Sequence, residues 1–284
     1  FDMGFEKPYN PADAVAKVKD ADIIIFAGGI SPRLEGEEMR VDYPGFKGGD
    51  RTDIELPAVQ RGLIKALKAA GKKVILVSCS GSAMGLAPET ESCDAILQAW
   101  YPGQAGGTAV ADVLFGDYNP AGRLPVTFYK NVSQLPDFED YTMKGRTYRY
   151  MKQSPLFAFG YGLSYTTFSY GKASLGGKSI KAGDKTSLNF TLSNTGKRDG
   201  DEVVQVYIRN LQDPEGPSKT LRAFRRIHLK AGEKQNVAIE LPANTFEWFD
   251  AQTNTMRILP GKYELLYGGS SLDEKLEKVQ VVLK

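Results

Sequence analysis

Three glutamates, Glu35, Glu37 and Glu38, fall within four residues in the stretch GGISPRLEGEEMRVDYPGFKGGDR, directly after the apolar run ADIIIFAGG. Carboxylates this close raise one another's pKa, which costs stability unless solvent or a partner relieves it. The residue types allow two readings. In one, the loop is a solvated face on which Glu37 and Glu38 pair weakly with Arg33 or Arg40. In the other, one glutamate does general acid–base work. Other chemistry is short of residues. The single histidine, His228, sits in the strand-like FRRIHLKAG, far from the glycine-rich loops, and reads as a strand or surface group. Cys79 and Cys93 read as free thiols in a core strand and a loop, too few for a disulfide framework and, with one histidine, too few for a zinc site. Neither GGISPRLEG nor GSAMG keeps the G-x-G-x-x-G spacing of a dinucleotide site, and no helix is expected directly after the first.

The elements around the glutamates alternate between helix and strand. NPADAVAKVKD offers Asn10 as N-cap and Pro11 as first helical residue. ADIIIFAGG is a continuous apolar run, as expected of a strand covered on both faces. LPAVQRGLIKALKAAGK places Val59, Leu63, Ile64 and Leu67 at helical spacing and stops at Gly71. KVILVSCSG is a second buried strand, CDAILQAWYPG a short strand running into a loop, GQAGGTAVADVLFGD a helix of small residues, and GRLPVTFYK the start of another extended segment. This alternation predicts a mostly parallel sheet with helices on its faces. In such sheets ligands gather beyond the carboxyl ends of the strands, which is where the glutamate loop lies.

Beyond about residue 160 the pattern is strand alone. KTSLNFTLSNTGKRDGDEVVQVYIRN, FRRIHLKAGEKQNVAIELPA, MRILPGKYELLYGG and EKLEKVQVVLK supply roughly seven short strands with frequent turns, predicting an immunoglobulin-like β-sandwich. The aromatic, glycine-rich RTYRYMKQSPLFAFGYGLSYTTF joins the halves and is expected to pack rather than to be displayed. Trp248 lies between Phe246 and Phe249 in FEWFD and is read as a packing residue, so the sandwich is read as a scaffold. The 284 residues carry a net charge of +2, with −2 in residues 1–160 and +4 in the rest, so no concentrated basic face points to nucleic acid. No apolar run approaches the roughly 20 residues of a membrane span, and FDMGFEKPYN has neither the basic start nor the apolar centre of a signal peptide.

The strings AWYPGQAGGTAVADVLFGDYNPAGRLPVTFYKNVSQLP, RTYRY and FAFGYGLSYTTF closely resemble the C-terminal region of glycoside hydrolase family 3. SNTGKRDGDEVVQVYI, LRAFRRIHLKAGE and PGKYELLYGGSS resemble that family's fibronectin type III-like domain. LEGEEM and GGDRTDIELPAVQ are most similar to its β-xylosidase and β-glucosidase branches. The resemblance implies a three-layer α/β sandwich with a mostly parallel sheet over residues 1–160. It implies an aromatic linker over 161–170 and an all-β fibronectin type III-like sandwich over 171–284. It implies a retaining, exo-acting enzyme on β-linked oligosaccharides or aryl glycosides, without metal or organic cofactor. Its nucleophile would lie on an N-terminal (β/α)8 barrel of about 250 residues, too large for this chain to hold. The chain is therefore expected to be a C-terminal part with little activity of its own, from a periplasmic or secreted protein whose signal peptide would lie upstream. Matching the family's Glu-Gly before Gly-Asp-Arg assigns the general acid/base to Glu35, with Glu37 as the alternative and Glu38 third. Asp50 and Arg51 are expected to fix the loop, and Tyr43 and Phe46 to wall an outer sugar subsite. A non-catalytic carbohydrate-binding or structural protein is the competing reading, supported by the missing barrel.

Overall fold

In a computed structural model, residues 10–177 and 179–284 are described. The amino-terminal FDMGFEKPY, on which the reading of a leader partly rests, lies outside them. Packing groups the chain into two compact units, one comprising residues up to Phe115 with Phe128–Leu135 and the other Gly116–Thr127 with Pro136–Lys284.

The first unit runs α1 (Pro11–Lys17), β1 (Ile23–Gly29), α2 (Pro32–Glu35), β2 (Asp42–Tyr43), β3 (Phe46–Lys47), β4 (Asp50–Arg51), α3 (Ala58–Ala69), β5 (Lys73–Cys79), α4 (Ala87–Ser92), β6 (Ala95–Gln98) and α5 (Gly106–Phe115). As expected, Asn10 caps α1, its side chain accepting from the Ala12 amide at 3.0 Å. The parallel sheet has the order β1-β5-β6. Helix α3 lies against it and buries Ile64 and Leu67, and the chain turns out of the helix at Gly71, φ +78°. Central β5 buries Val74, Leu76 and Val77, as a parallel strand between two neighbours should. The edge strand β1 departs from the expectation of two covered faces, because Ile23 and Ile25 stay 54% and 49% exposed. Cys79 and Cys93 are free. Burial, with help from Glu89 and Asp94, pushes the Cys93 thiol up to about 11, so it is not a thiolate nucleophile.

In the second unit a short α6 (Thr147–Tyr150) precedes β7 (Phe168–Tyr170), β8 (Ser174–Leu175), β9 (Ser179–Ile180), β10 (Thr186–Asn194), β11 (Gly200–Asn210), β12 (Thr220–Leu229), β13 (Lys234–Leu241), β14 (Glu247–Asp250), β15 (Thr255–Ile258), β16 (Gly261–Gly268) and β17 (Glu277–Leu283). One sheet has the order β13-β10-β7, with β8 also on β10, and the other β12-β11-β16-β17-β9. Alternate residues of both enter one core: Leu188, Phe190 and Leu192 from β10, Val204, Val206 and Ile208 from β11, and Tyr263, Leu265 and Tyr267 from β16. This is the period of two that the strand patterns predict. The segment GRLPVTFYK forms no strand. Instead the Leu124 amide donates to the Tyr161 carbonyl at 2.9 Å, and the Gly160 amide donates to the Leu124 carbonyl at 2.8 Å. Gly160 has φ +77°, and a Cβ there would lie 1.9 Å from Gln205 Oε1, so no other residue fits the turn. The joining aromatics do pack: Tyr148 stacks on Phe159 at 4.5 Å and meets Tyr207 edge-on at 5.7 Å. His228 is the surface strand residue expected, 62% exposed with Nδ1 2.7 Å from Asp201.

Candidate functional site

The site is assembled from the carboxyl ends of all three parallel strands. Strand β1 ends at Gly29, φ +130°, where a Cβ would fall 1.9 Å from the Cys79 carbonyl oxygen. Gln60 of α3 clamps that glycine from both sides, accepting from its amide at 2.7 Å and donating to its carbonyl at 2.8 Å. The chain then makes one helical turn, α2, which sequence reasoning treated as loop. Ser31 caps it through the Leu34 amide at 3.2 Å, Pro32 opens it, and Gly36 closes it with φ +68°. Glu35 is its last residue and is half-buried, while Leu34 beside it is buried and anchors the turn. Four residues cannot form the long helix of a dinucleotide fold, so the rejection of that motif stands on structure as well as spacing.

After α2 the chain folds into the three-stranded antiparallel ribbon β2-β3-β4. Pro44 and Gly45, with Gly45 at φ +91°, join the first pair in the manner of a type II turn, and Gly48 and Gly49, at +62° and +94°, join the second as a type I′ turn. Arg51, at the ribbon's end, reaches across to the loop after β5. Its Nη1 donates to Ser82 Oγ at 2.9 Å and to the Ala83 carbonyl at 3.2 Å, and its Nε donates to the Asp53 carbonyl at 3.1 Å. Arg51 thus fixes the loop, as the sequence suggested. Asp50 is exposed. Burial lowers the Arg51 pKa, and the charge of Glu35 is the first of the groups opposing that fall.

The loop after β5 is braced from β6, where Gln98 donates to Ser80 Oγ at 3.0 Å while Ser80 donates to the Ser82 carbonyl at 2.8 Å. This holds Gly81 bare against the carboxylate. A methyl group on Gly81 would meet the Tyr101 ring at 2.8 Å and Glu35 Oε2 at 3.4 Å. Tyr101 follows β6 and is placed by Trp100, whose φ of +57° turns the chain back at the strand end. Burial, then the hydrogen bond and charge of Glu35, push the Tyr101 phenol up to about 12. The phenol therefore keeps its proton at any working pH and remains a donor facing the Glu35 carboxylate. The arrangement is a half-buried carboxylate oriented by a phenol, beside a glycine and a fixed arginine.

The remaining sequence candidates separate from Glu35. Glu37 and Glu38 are exposed, and among the described residues neither pairs with Arg33 or Arg40, so solvent screens both. Tyr43 is half-buried on the ribbon, whereas Phe46 is 3% exposed. Phe46 therefore packs inside rather than forming an open wall, because the ribbon needs one apolar side to fold onto the unit. Tyr101 was missed altogether. Its signal was its position just beyond the carboxyl end of a strand of the parallel sheet, the same criterion that singled out the glutamate loop. Among the described residues no group of three His, Cys, Asp or Glu could hold a metal ion.

Residues 6–165 match the family model described as the glycosyl hydrolase family 3 C-terminal domain, and residues 202–271 match a fibronectin type III-like domain. The chain is 59% identical over 99% of its length to a xylan 1,4-β-xylosidase of Xylanibacter ruminicola, of which it covers 32%. It is 36% identical over 91% of its length to a periplasmic β-glucosidase of Salmonella typhimurium, of which it covers 34%. Among solved structures, a β-glucosidase of Erythrobacter marinus matches with a TM-score of 0.82 at 37% identity, over 96% of this chain and 36% of that one. The chain thus spans about a third of the length of the relatives it matches.

Proposed function

Given that this chain belongs to glycoside hydrolase family 3, we propose that it is the acid/base-bearing part of a retaining, exo-acting β-glycosidase, with Glu35 as the acid/base. The observation that carries this reading is the placement of Glu35 at the carboxyl end of β1, half-buried and faced by Tyr101 across Gly81. Retaining hydrolysis uses two carboxyl groups about 5–5.5 Å apart, one attacking the anomeric carbon and one protonating the leaving oxygen and later activating water. Glu35 would supply the second role. The nucleophile would come from a barrel outside these residues, and the exposed Ile23 and Ile25 of β1 support a further part of the protein packing on this unit. The higher identity to a xylosidase than to a β-glucosidase favours a terminal β-xylosyl unit. The relative with a periplasmic name supports a periplasmic or secreted site.

The direct test compares 4-nitrophenyl β-xyloside hydrolysis by the 284-residue chain with that by the whole protein carrying the barrel. The chain alone is expected to give no turnover above the no-enzyme rate, and the whole protein to turn over. Robust hydrolysis by the pure chain would mean that both carboxylates lie within it.

In the whole protein, Tyr101→Phe removes the group that aims Glu35 while leaving the carboxylate in place. Loss of one hydrogen bond to a charged group should slow kcat about tenfold on xylobiose. KM should change little, and glycosyl-enzyme formation from a dinitrophenyl xyloside should be much less affected than formation from xylobiose. Equal slowing of that step on both substrates would show that Tyr101 does not act through proton transfer by Glu35.

A further inference from the structure

The loop Ser80–Ala83 after β5 is a shared mount for two groups that act on Glu35. The Gly81 amide donates to the phenol oxygen of Tyr101, and that phenol donates to the Glu35 carboxylate. Ser82 Oγ and the Ala83 carbonyl accept from Nη1 of Arg51, at 2.9 and 3.2 Å. A shift of this loop therefore carries both Tyr101 and Arg51 with it. The start of the loop is fixed to the end of β1, where the Ile30 amide donates to the Cys79 carbonyl at 2.9 Å.

One side chain ties the loop to the strand that leads to Tyr101. Gln98 is the last residue of β6, in register with Ser78 of β5. Its Nε2 donates to Ser80 Oγ at 3.0 Å. The direction of that bond is forced. Ser80 is fully buried and its hydroxyl proton is committed to the Ser82 carbonyl at 2.8 Å, so its oxygen can only accept. Gln98 and Tyr101 lie three residues apart and hold adjacent residues of one loop, Gln98 through Ser80 and Tyr101 through Gly81. The fit leaves little slack, since a Cβ on Gly81 would meet the Tyr101 ring at 2.8 Å. From the other side Tyr101 follows Trp100, whose φ is +57° and whose ring meets Phe128 edge-on at 6.1 Å.

We propose that Gln98 is a positioning residue for proton transfer by Glu35. Through Ser80 it sets the place of the Gly81 amide, and through that amide the direction in which Tyr101 holds the carboxylate. It acts through Tyr101 and not on the substrate. The inference rests on the acid/base reading of Glu35, and the experiment separates the two.

The test uses the whole protein and follows single-turnover formation of the glycosyl-enzyme from xylobiose and from a dinitrophenyl xyloside. Gln98→Met keeps the length of the side chain and removes its donor. It should slow formation from xylobiose about three- to tenfold, the worth of one hydrogen bond. The affinity for xylobiose should be unchanged, and formation from the dinitrophenyl xyloside nearly that of the wild type, because that leaving group needs little protonation. Ser80→Ala removes the same bond from its other end, together with the bond to Ser82, and should show the same selective loss. The double variant should be no slower than Ser80→Ala alone, as expected of two ends of one interaction. Two variants at opposite ends guard against a local folding fault in either. In Glu35→Gln, adding Gln98→Met should change nothing further on xylobiose. Equal slowing on both substrates, or no slowing in either single variant, would overturn the role of Gln98 while a selective loss in Glu35→Gln left the acid/base reading standing. No selective loss in Glu35→Gln itself would overturn that reading and the role of Gln98 with it.

Discussion

Replacing Arg61 by Met is expected to destabilise the first unit by about 3–5 kcal/mol, the cost of leaving a buried charge without its partner. Arg61 of α3 grips Glu89 of α4 with two prongs, Nε to Oε1 at 2.6 Å and Nη2 to Oε2 at 3.0 Å. It also pairs with Glu55 and donates to the Gly85 carbonyl at 3.2 Å. Glu89 is fully buried, so without Arg61 no solvent can take its charge. Burial alone would lower the Arg61 pKa, but the hydrogen bonds and charges of Glu89 and Glu55 raise it above its ordinary value. The double variant Arg61→Met, Glu89→Leu should recover most of the loss, because removing both charges removes the desolvation cost that one alone suffers. Each unit holds one of the two tryptophans, Trp100 in the first and Trp248 in the second. Denaturant unfolding in a Trp248→Phe background therefore reads the first unit by itself. A loss below about 1 kcal/mol for Arg61→Met would show that water reaches Glu89. The network also matters for the site, since Glu55 and Gly85 flank the segments that Arg51 ties together.

Elements whose rules are local were legible in the chain. The caps at Asn10 and Gly71, the central strand β5 and the alternating strands of the sandwich follow from capping chemistry and from periods of 3.6 and 2. The single turn α2 also carried its signals, Ser31 as N-cap, Pro32 at the first position and Gly36 as stop, but four residues are too few for periodicity to register. What was not legible depends on tertiary partners. Tyr101 meets Glu35 across more than sixty residues of chain, and Arg61 meets Glu89 from another helix. Phe46, expected with Tyr43 to wall an outer sugar subsite because both are aromatics on the glutamate loop, is folded inward by the two tight turns that glycine allows. The exposed Ile23 and Ile25 show the converse limit: an apolar run predicts burial, and packing decides whether anything covers it.

The largest effect that the proposed acid/base role predicts is at Glu35 in the whole protein. A group that protonates the leaving oxygen matters most when that oxygen leaves poorly, so Glu35→Gln should slow glycosylation from xylobiose by about 10²–10⁴-fold, the usual worth of general acid–base assistance. Dinitrophenyl xyloside, whose leaving group needs little protonation, should form the glycosyl-enzyme almost normally. Its turnover should then stall at deglycosylation, because the same carboxylate activates water. Azide attacks without a general base, so adding it should restore turnover and yield a β-xylosyl azide. The amide of the variant keeps the size of Glu35 and its place against Gly81 and Tyr101, so lost geometry would not imitate this signature. Glu37→Gln serves as the control. Glu37 is exposed and belongs to the solvated side of the loop, so its loss should show neither leaving-group dependence nor azide rescue. Azide rescue in Glu37→Gln and none in Glu35→Gln would move the acid/base two residues along the loop. It would also mean that the pairing of Glu35 with Tyr101 serves only to hold the turn in place.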